Sequence, residues 1–531
     1  MTAPGARRSG GAVAVGAGIL ISRLFGLVRQ RVISHFLGVG DAADVISAAL
    51  RIPNVLQNLL GEGVLSASFV PVYARLRAEG RDEDATRLAR SVGALLAATA
   101  AVVVLVGMAF APALVLLVSG GFSPEKREFT VQLVRLLFPG MAALVMSAWC
   151  LGVLNAHRQF FISYTAPVAW NIAIIATLVL KASPDDANGA AHLVAIGAVI
   201  GSVLQFAVQV PWLVRFLPAA KHGVLRTPEL SRVLSNFVPV LIGRGVVQLS
   251  GWLDQLIASF ATMGAASVLF YAQNIALLPV SVFGMAVSAS ELTEMSTQTS
   301  ADVEDGIRTR LQGGLRAIAF MVVPSAAALL VLGDVLAGAV LQTGRFVRSD
   351  TVWVWAVLAG SSVGLLAGTL GRLYNSAWYA LHDTKTPVRI AILRIAVAAT
   401  LGSTSALLLP RLVGFDPKWG VAGLTVSAGI AAWLEYTLLR RALNARIGWT
   451  GLPPGLLPRL WGAALISSGI GFGVKVALGD MHPVVVAAFV FGAYGAAYFG
   501  LTAAFGVAEA IALPSRIKRR LGRGARGEAE A

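Results

Sequence analysis

Residues 91–118 read SVGALLAATAAVVVLVGMAFAPALVLLV, a stretch without a single Asp, Glu, Lys or Arg. About 20 helical residues cross roughly 30 Å of hydrocarbon, so this stretch is long enough to span a bilayer and too apolar to rest in water. Runs of the same kind recur from Gly11 almost to Ala512. The composition agrees with them. Of 531 residues, 56% are apolar or aromatic and 13% are charged, where soluble domains carry about 25% charged residues, and the mean hydropathy is +0.74. A water-soluble globule is excluded, and the lack of short alternating segments excludes a transmembrane β-barrel. The fold class is an all-α polytopic membrane protein. Cys150 is the only cysteine, which leaves no intrachain disulfide and no Cys-rich metal site. The first apolar run continues as a full-length span containing Arg23 and Arg29, so it does not read as a cleavable signal peptide.

Apolar runs bounded by charged or Gly/Pro/Asp-rich breaks predict about fourteen spans. The first seven fall near 12–38, 44–72, 91–118, 129–154, 164–181, 190–214 and 235–262. The second seven fall near 267–290, 315–341, 351–380, 388–409, 419–439, 460–477 and 483–512. The net charge of +16 marks sidedness rather than a nucleic-acid partner. Most Lys and Arg sit at one set of span ends: Arg7 and Arg8, the Arg75–Arg90 loop, the Arg215–Arg232 loop, Arg308–Arg316, Arg440–Arg459 and the tail from Arg516. Positive charge is retained in the cytoplasm, so both termini are expected there, with the basic tail against anionic lipid. Ser66-Ala67-Ser68 with Glu83-Asp84 and Arg87 is echoed by Ser288-Ala289-Ser290 with Glu304-Asp305 and Arg308. The echo implies two parallel six-helix lobes around a central cavity plus two C-terminal helices, the plan of an alternating-access transporter. The expected divisions are 1–217, 218–446, 447–512 and a tail at 513–531.

Nine basic residues fall within or at the edges of spans: Arg23, Arg29, Arg31, Arg51, Arg135, Arg244, Arg372, Arg394 and Lys475. A charge at the bilayer centre costs at least about 2.5 kcal/mol. Snorkelling to the interface is an equal reading for Arg31, Arg51, Arg372 and Lys475. Arg23 and Arg29 lie about 120° apart around one helix and can line one wide cavity. With Arg51 they form an electropositive vestibule suited to a phosphorylated substrate, because guanidinium matches phosphate geometry and stays charged. The acids within spans are Asp44, Glu62, Asp254 and Glu435, with Glu291 near a span end. The six histidines are scattered, without HExxH or a Walker A sequence. A transporter is expected, not an enzyme.

The run Ser22-Arg23-Leu24-Phe25-Gly26-Leu27-Val28-Arg29, then Asp44, Pro53-Asn54, Glu62-Gly63, Ser66 and Phe69-Val70-Pro71, resembles the opening spans of the MurJ (MviN) lipid II flippase family, within the multidrug/oligosaccharidyl-lipid/polysaccharide exporter superfamily. Leu154-Asn155 with Arg158-Gln159-Phe160, Gly344-Arg345-Phe346, and Trp378-Tyr379-Ala380-Leu381 with Asp383-Thr384-Lys385-Thr386-Pro387 continue the likeness in order. The resemblance implies two six-helix lobes and a C-terminal pair, Arg459 to Ala512, that shelters an undecaprenyl chain. It implies that Arg23 and Arg29 hold a pyrophosphate, with Asp44, Glu62 and Asn171 also facing the substrate. Two family arginines are replaced by Gln57 and Asn274, and Arg244 is read as a replacement charge. Asp254 and Thr425 match positions that bind sodium in some members, but their further partners align with Ala398 and Gly402. Arg394 is therefore expected to pair with Asp254 in place of the ion, with no cofactor. The expected partners are lipid II or a related undecaprenyl-pyrophosphate glycolipid and membrane lipids, with no nucleic acid, and the chain is expected to act as a monomer. The rival readings are a flippase for another polyprenyl-linked glycan, a drug or metabolite exporter of the same fold, and a membrane glycosyltransferase or polymerase, for which Asp44 or Glu62 alone is thin support. A reporter fused after residue 531 is expected to be active only on the cytoplasmic side; activity on the outer side would reverse the assigned sidedness.

Overall fold

The computed structural model describes residues 4–217, 228–281, 303–381 and 383–511. The second Ser-Ala-Ser, Glu291, the end of the eighth expected span and the basic tail lie outside these residues, as do the side chains of Glu62 and Arg244. The described chain is helical. In order it forms α1 (Pro4–Leu37), α2 (Asp41–Leu60), α3 (Glu62–Ser68), α4 (Val70–Ala78), α5 (Asp82–Ala109), α6 (Ala111–Ser119), α7 (Pro124–Ala156), α8 (Phe160–Lys181) and α9 (Ala187–Phe216). There follow α10 (Pro228–Ser259), α11 (Ala265–Pro279), α12 (Val303–Leu341), α13 (Arg348–Ala380), α14 (Lys385–Ser403), the short α15 (Leu409–Val413), α16 (Gly420–Ile447), α17 (Leu456–Leu478) and α18 (Pro483–Ala504). Among the described residues, eleven helical stretches are long and apolar enough to cross a membrane. In addition, α1, α10 and α11 stand where the first, seventh and eighth spans were expected.

Three expected spans are broken helices, each for a local reason. The opening stretch divides at Phe110 because Pro112 begins a new helix there and has no N–H for the preceding turn. Asp41–Ala78 divides at Gly61, where a Cβ would lie 2.5 Å from the Gln57 carbonyl oxygen. The stretch after Ser403 widens into a π-helical turn over Thr404–Leu408.

The helices group into two compact units, Met1–Val268 with Val340–Asp350, and Leu269–Ala339 with Thr351–Ala531. In the first, α1 packs on α8 and α9, and α7 on α2, α5 and α9. Gly201 lets α9 close on α8: a Cβ there would come within 2.8 Å of the Trp170 backbone. This first unit runs past Leu217 to take in α10, which packs on α2, α3 and α6. In the second unit α13 and α16 meet at Gly364 and Gly429, where a Cβ on Gly364 would lie 2.4 Å from the Gly429 Cα. Small residues allow such approach where no hydrophobic force drives helices together.

In the second unit, the C-terminal pair α17–α18 is fastened along α12. Ala328, Leu332 and Val335 pack with Val486, Val490 and Tyr494. Lys475 pairs with Asp334 at 2.5 Å, and Arg316 with Glu509 at 2.8 Å. Between these ion pairs lies a repair. Pro324 has no N–H to give the Phe320 carbonyl, and the Tyr498 hydroxyl donates to that carbonyl at 2.7 Å. The Tyr494 hydroxyl donates to the Pro324 carbonyl at 2.6 Å. Tyr498→Phe is expected to lower stability by about 1 kcal/mol, measured as thermal unfolding in detergent; a wild-type melting curve would show that the carbonyl finds another donor.

Candidate functional site

The basic centre of the first unit is built on α1 and α8. Arg29 Nη1 donates to Asn171 Oδ1 at 2.9 Å, and its guanidinium lies 4.6 Å from the Trp170 ring centre. Both partners are themselves fixed. Asn171 Nδ2 donates to the Pro167 carbonyl at 2.9 Å, and Trp170 Nε1 donates to the Ala198 carbonyl at 3.0 Å. The amide and the ring are thus pinned before any ligand arrives, the condition for a preorganised site. Arg29 Nε is buried without a hydrogen-bond partner, so the guanidinium keeps unused donor capacity. A small cavity beside Trp170 is lined by Pro53, Asn54, Gly140, Met141 and Ser202. Arg23, nearly two turns earlier, is exposed on a helix whose Leu20, Leu24 and Val28 are also exposed. The structure therefore brings Arg29 to Asn171 and leaves Arg23 apart from that contact.

Asp44 has a different setting from the open one expected of a substrate acid. It is 1% exposed. Its Oδ1 accepts from the Ser267 N–H at 2.7 Å, and its Oδ2 from the Gly264 N–H at 2.8 Å and from Lys126 Nζ at 2.7 Å. Lys126 also reaches Asp41 at 2.8 Å. Asp44 thus caps the start of α11, where amide groups left over by the first turn need acceptors. A second clip lies at the other end of the α1–α2 turn. His35 Nδ1 and Thr343 Oγ1 share a hydrogen bond of 2.9 Å, the Arg345 N–H donates to the His35 carbonyl at 2.9 Å, and Arg345 Nη1 donates to the Pro184 carbonyl at 3.0 Å.

Arg51 does not snorkel. Its Nη1 donates to the Gly251 carbonyl of α10, and Asp254, one turn on, is the carboxylate that acts on it. Arg394, expected beside Asp254, lies 3.4 Å from Glu435 of its own unit. The reason is geometric: α14 packs on α16, which carries Glu435. Thr425 donates to the Val357 carbonyl at 3.0 Å and to the Ala422 carbonyl at 2.9 Å. Its proton is committed to helix packing, and the buried Ala398 and Gly402 bring no side-chain oxygen. Asn274 Nδ2 turns back to the Phe270 carbonyl of its own helix at 2.8 Å.

Near the opposite helix ends, Tyr73 Oη and His157 Nε2 are 2.9 Å apart, and the imidazole stacks on Phe216 with centroids 4.1 Å apart. Burial first, and then the nearby Arg77 charge, pushes the His157 imidazole down to about 4. It is neutral at physiological pH and shares one hydrogen bond with the tyrosine hydroxyl.

A family model described as Lipid II flippase MurJ matches residues 33–505. The chain belongs to the MurJ family. It is similar to the lipid II flippase MurJ of Burkholderia cenocepacia, with 32% identity over 465 residues, 85% of this chain and 87% of the relative. Among solved structures, it is similar to a lipid II flippase MurJ in an inward closed conformation, with TM-score 0.71 and 22% identity over 93% of this chain and 98% of that one. An inward-facing multidrug resistance MATE family transporter of the MOP superfamily shares the fold more distantly, with TM-score 0.63 and 14% identity over 80% of this chain and 94% of that one.

Within this MurJ-family chain, sequence reasoning singled out Arg29, Asn171 and Asp44 without their partners Trp170 and Lys126. It missed Asp334 as well. Lys475 was readable as snorkelling, and a search for acids at matching depth in the spans would have found its partner. Breaking a buried ion pair from one side costs about 3 kcal/mol. Lys126→Ala is therefore expected to lower stability by about that amount, read as a lower melting temperature in detergent, with Lys126→Arg largely preserved. Equal melting of Lys126→Ala and wild type would show that Asp44 needs no counter-charge beyond the two amides.

Proposed function

We propose that this chain carries lipid II from the inner to the outer leaflet of the cytoplasmic membrane by alternating access, with both termini in the cytoplasm and no covalent chemistry on the substrate. The observation that carries the reading is Arg29. It is held well inside an apolar span by Asn171 and Trp170 and keeps a buried, unused Nε. A guanidinium in hydrocarbon is too costly to serve as filler, and its planar donors suit a diphosphate. The lipid II flippase activity of the family supports the same substrate.

With the proposed sidedness, the Asp44 cap on α11 and the His35 clip on Thr343 and Arg345 lie at the outer ends of their helices. Release of Asp44 from Gly264 and Ser267 is then a step in opening outward. A ligand shifts such an equilibrium only by its difference in affinity for the two states, so the headgroup must be held more tightly once these bonds are broken. The exposed apolar side chains of α17, Leu465, Ile466, Ile470 and Phe472, give the polyprenyl tail a compatible surface while the headgroup crosses.

Arg29→Ala is expected to abolish growth in cells that depend on this chain and to leave lipid II on the inner leaflet, with membrane insertion intact. Arg29→Lys keeps the charge and loses the fork, and is expected to be strongly impaired. Full complementation by Arg29→Ala would refute the phosphate role.

A further inference from the structure

The second unit holds a cluster of charges that neither helix packing nor the Arg29 centre uses. Arg372, Asn375 and Tyr379 lie on one face of α13, spaced three and four residues apart, and Arg372 and Tyr379 are exposed. One turn before Arg372 the same face is open: a Cβ on Gly368 would meet nothing within 4 Å. Arg394 of α14 and Glu435 of α16 approach this face, and both act electrostatically on Arg372. Two guanidinium groups therefore share one carboxylate. Only Arg394 sits on it, with Nε at 3.4 Å, while the Arg372 guanidinium makes no hydrogen bond or ion pair among the described residues. The excess charge lies about 12 Å inside the C-terminal end of α13, at 1.5 Å per residue.

Like charges brought together in a low dielectric repel strongly, and a spare cation within a span needs a partner. A further group waits on the same face: Asn375 Oδ1 is buried without a hydrogen-bond partner. An orphaned acceptor next to surplus donors calls for a ligand that brings an anion together with hydroxyl or N–H groups. We propose that Arg372, Arg394 and Asn375 form a second subsite, which takes a carboxylate or phosphate oxyanion with adjacent hydroxyl or amide donors, as a glycopeptide headgroup carries. The proposal rests on the flippase reading only for the identity of that headgroup. Glu435 offsets one of the two positive charges and is displaced from Arg394 when the oxyanion arrives.

The test measures binding of lipid II and of undecaprenyl diphosphate, which lacks the sugars and peptide, to the full chain in nanodiscs. Arg372→Gln is expected to bind lipid II about tenfold more weakly or worse, the usual loss for a charge-assisted hydrogen bond, and Arg372→Lys less weakly. Glu435→Gln removes the competing carboxylate and is expected to bind lipid II more tightly. Because Arg372 makes no ion pair, Arg372→Gln should melt as wild type does. If Arg372→Gln loses lipid II affinity alone, the subsite reads a headgroup carboxylate; if it loses both ligands, it reads the diphosphate. Unchanged lipid II affinity in Arg372→Gln, or no tightening in Glu435→Gln, overturns the subsite. Failure of wild type to bind lipid II overturns the flippase reading instead.

Discussion

A charge placed among hydrocarbon must find a partner, and much of this architecture follows from that requirement. Lys126 with Asp44, Arg51 with the Gly251 carbonyl and Asp254, Arg394 with Glu435, Lys475 with Asp334 and Arg316 with Glu509 each tie helices that are far apart in sequence. These ties do not rank as large net sources of stability, because desolvation offsets much of the attraction. They act as registers: a helix rotated by one residue would strand a charge. Arg29 and Arg372 stand out against this background because their donors are not used up by protein partners.

The backbone obeys the same rule. Prolines within spans free carbonyls that lipid cannot satisfy, and the chain answers with side chains. Tyr498 covers the carbonyl left by Pro324, which makes the C-terminal helices a splint for α12 as well as an apolar surface. Asn171 links the two themes, since its amide donates to the Pro167 carbonyl and accepts from Arg29. A residue that secures its own helix thereby also fixes Arg29.

What the chain does is split between anchoring and release. The Asp44 cap and the His35 clip are made of a few hydrogen bonds to backbone and to a turn, with one lysine as counter-charge. Such contacts are directional and few, so each depends on the exact placement of its partners. Hydrophobic helix faces, by contrast, stay buried through any motion of rigid helices.

The sequence by itself determined the membrane class, the approximate positions of the spans and Arg29 as a charge within one of them, because apolar length and uncompensated charge are local properties that no fold can hide. Its reading of broken helices was incomplete, since Pro112 and the glycine at 61 act through their neighbours' backbone. Tertiary structure alone decided the pairings. Whether Arg394 meets Asp254 or Glu435, whether Arg51 and Lys475 snorkel or turn inward, and whether Asp44 faces a ligand or the start of α11 depend on which helices are neighbours and how each is rotated. Those are long-range facts set by close packing at residues such as Gly201, Gly364 and Gly429, where a missing side chain on one helix fixes the position of another.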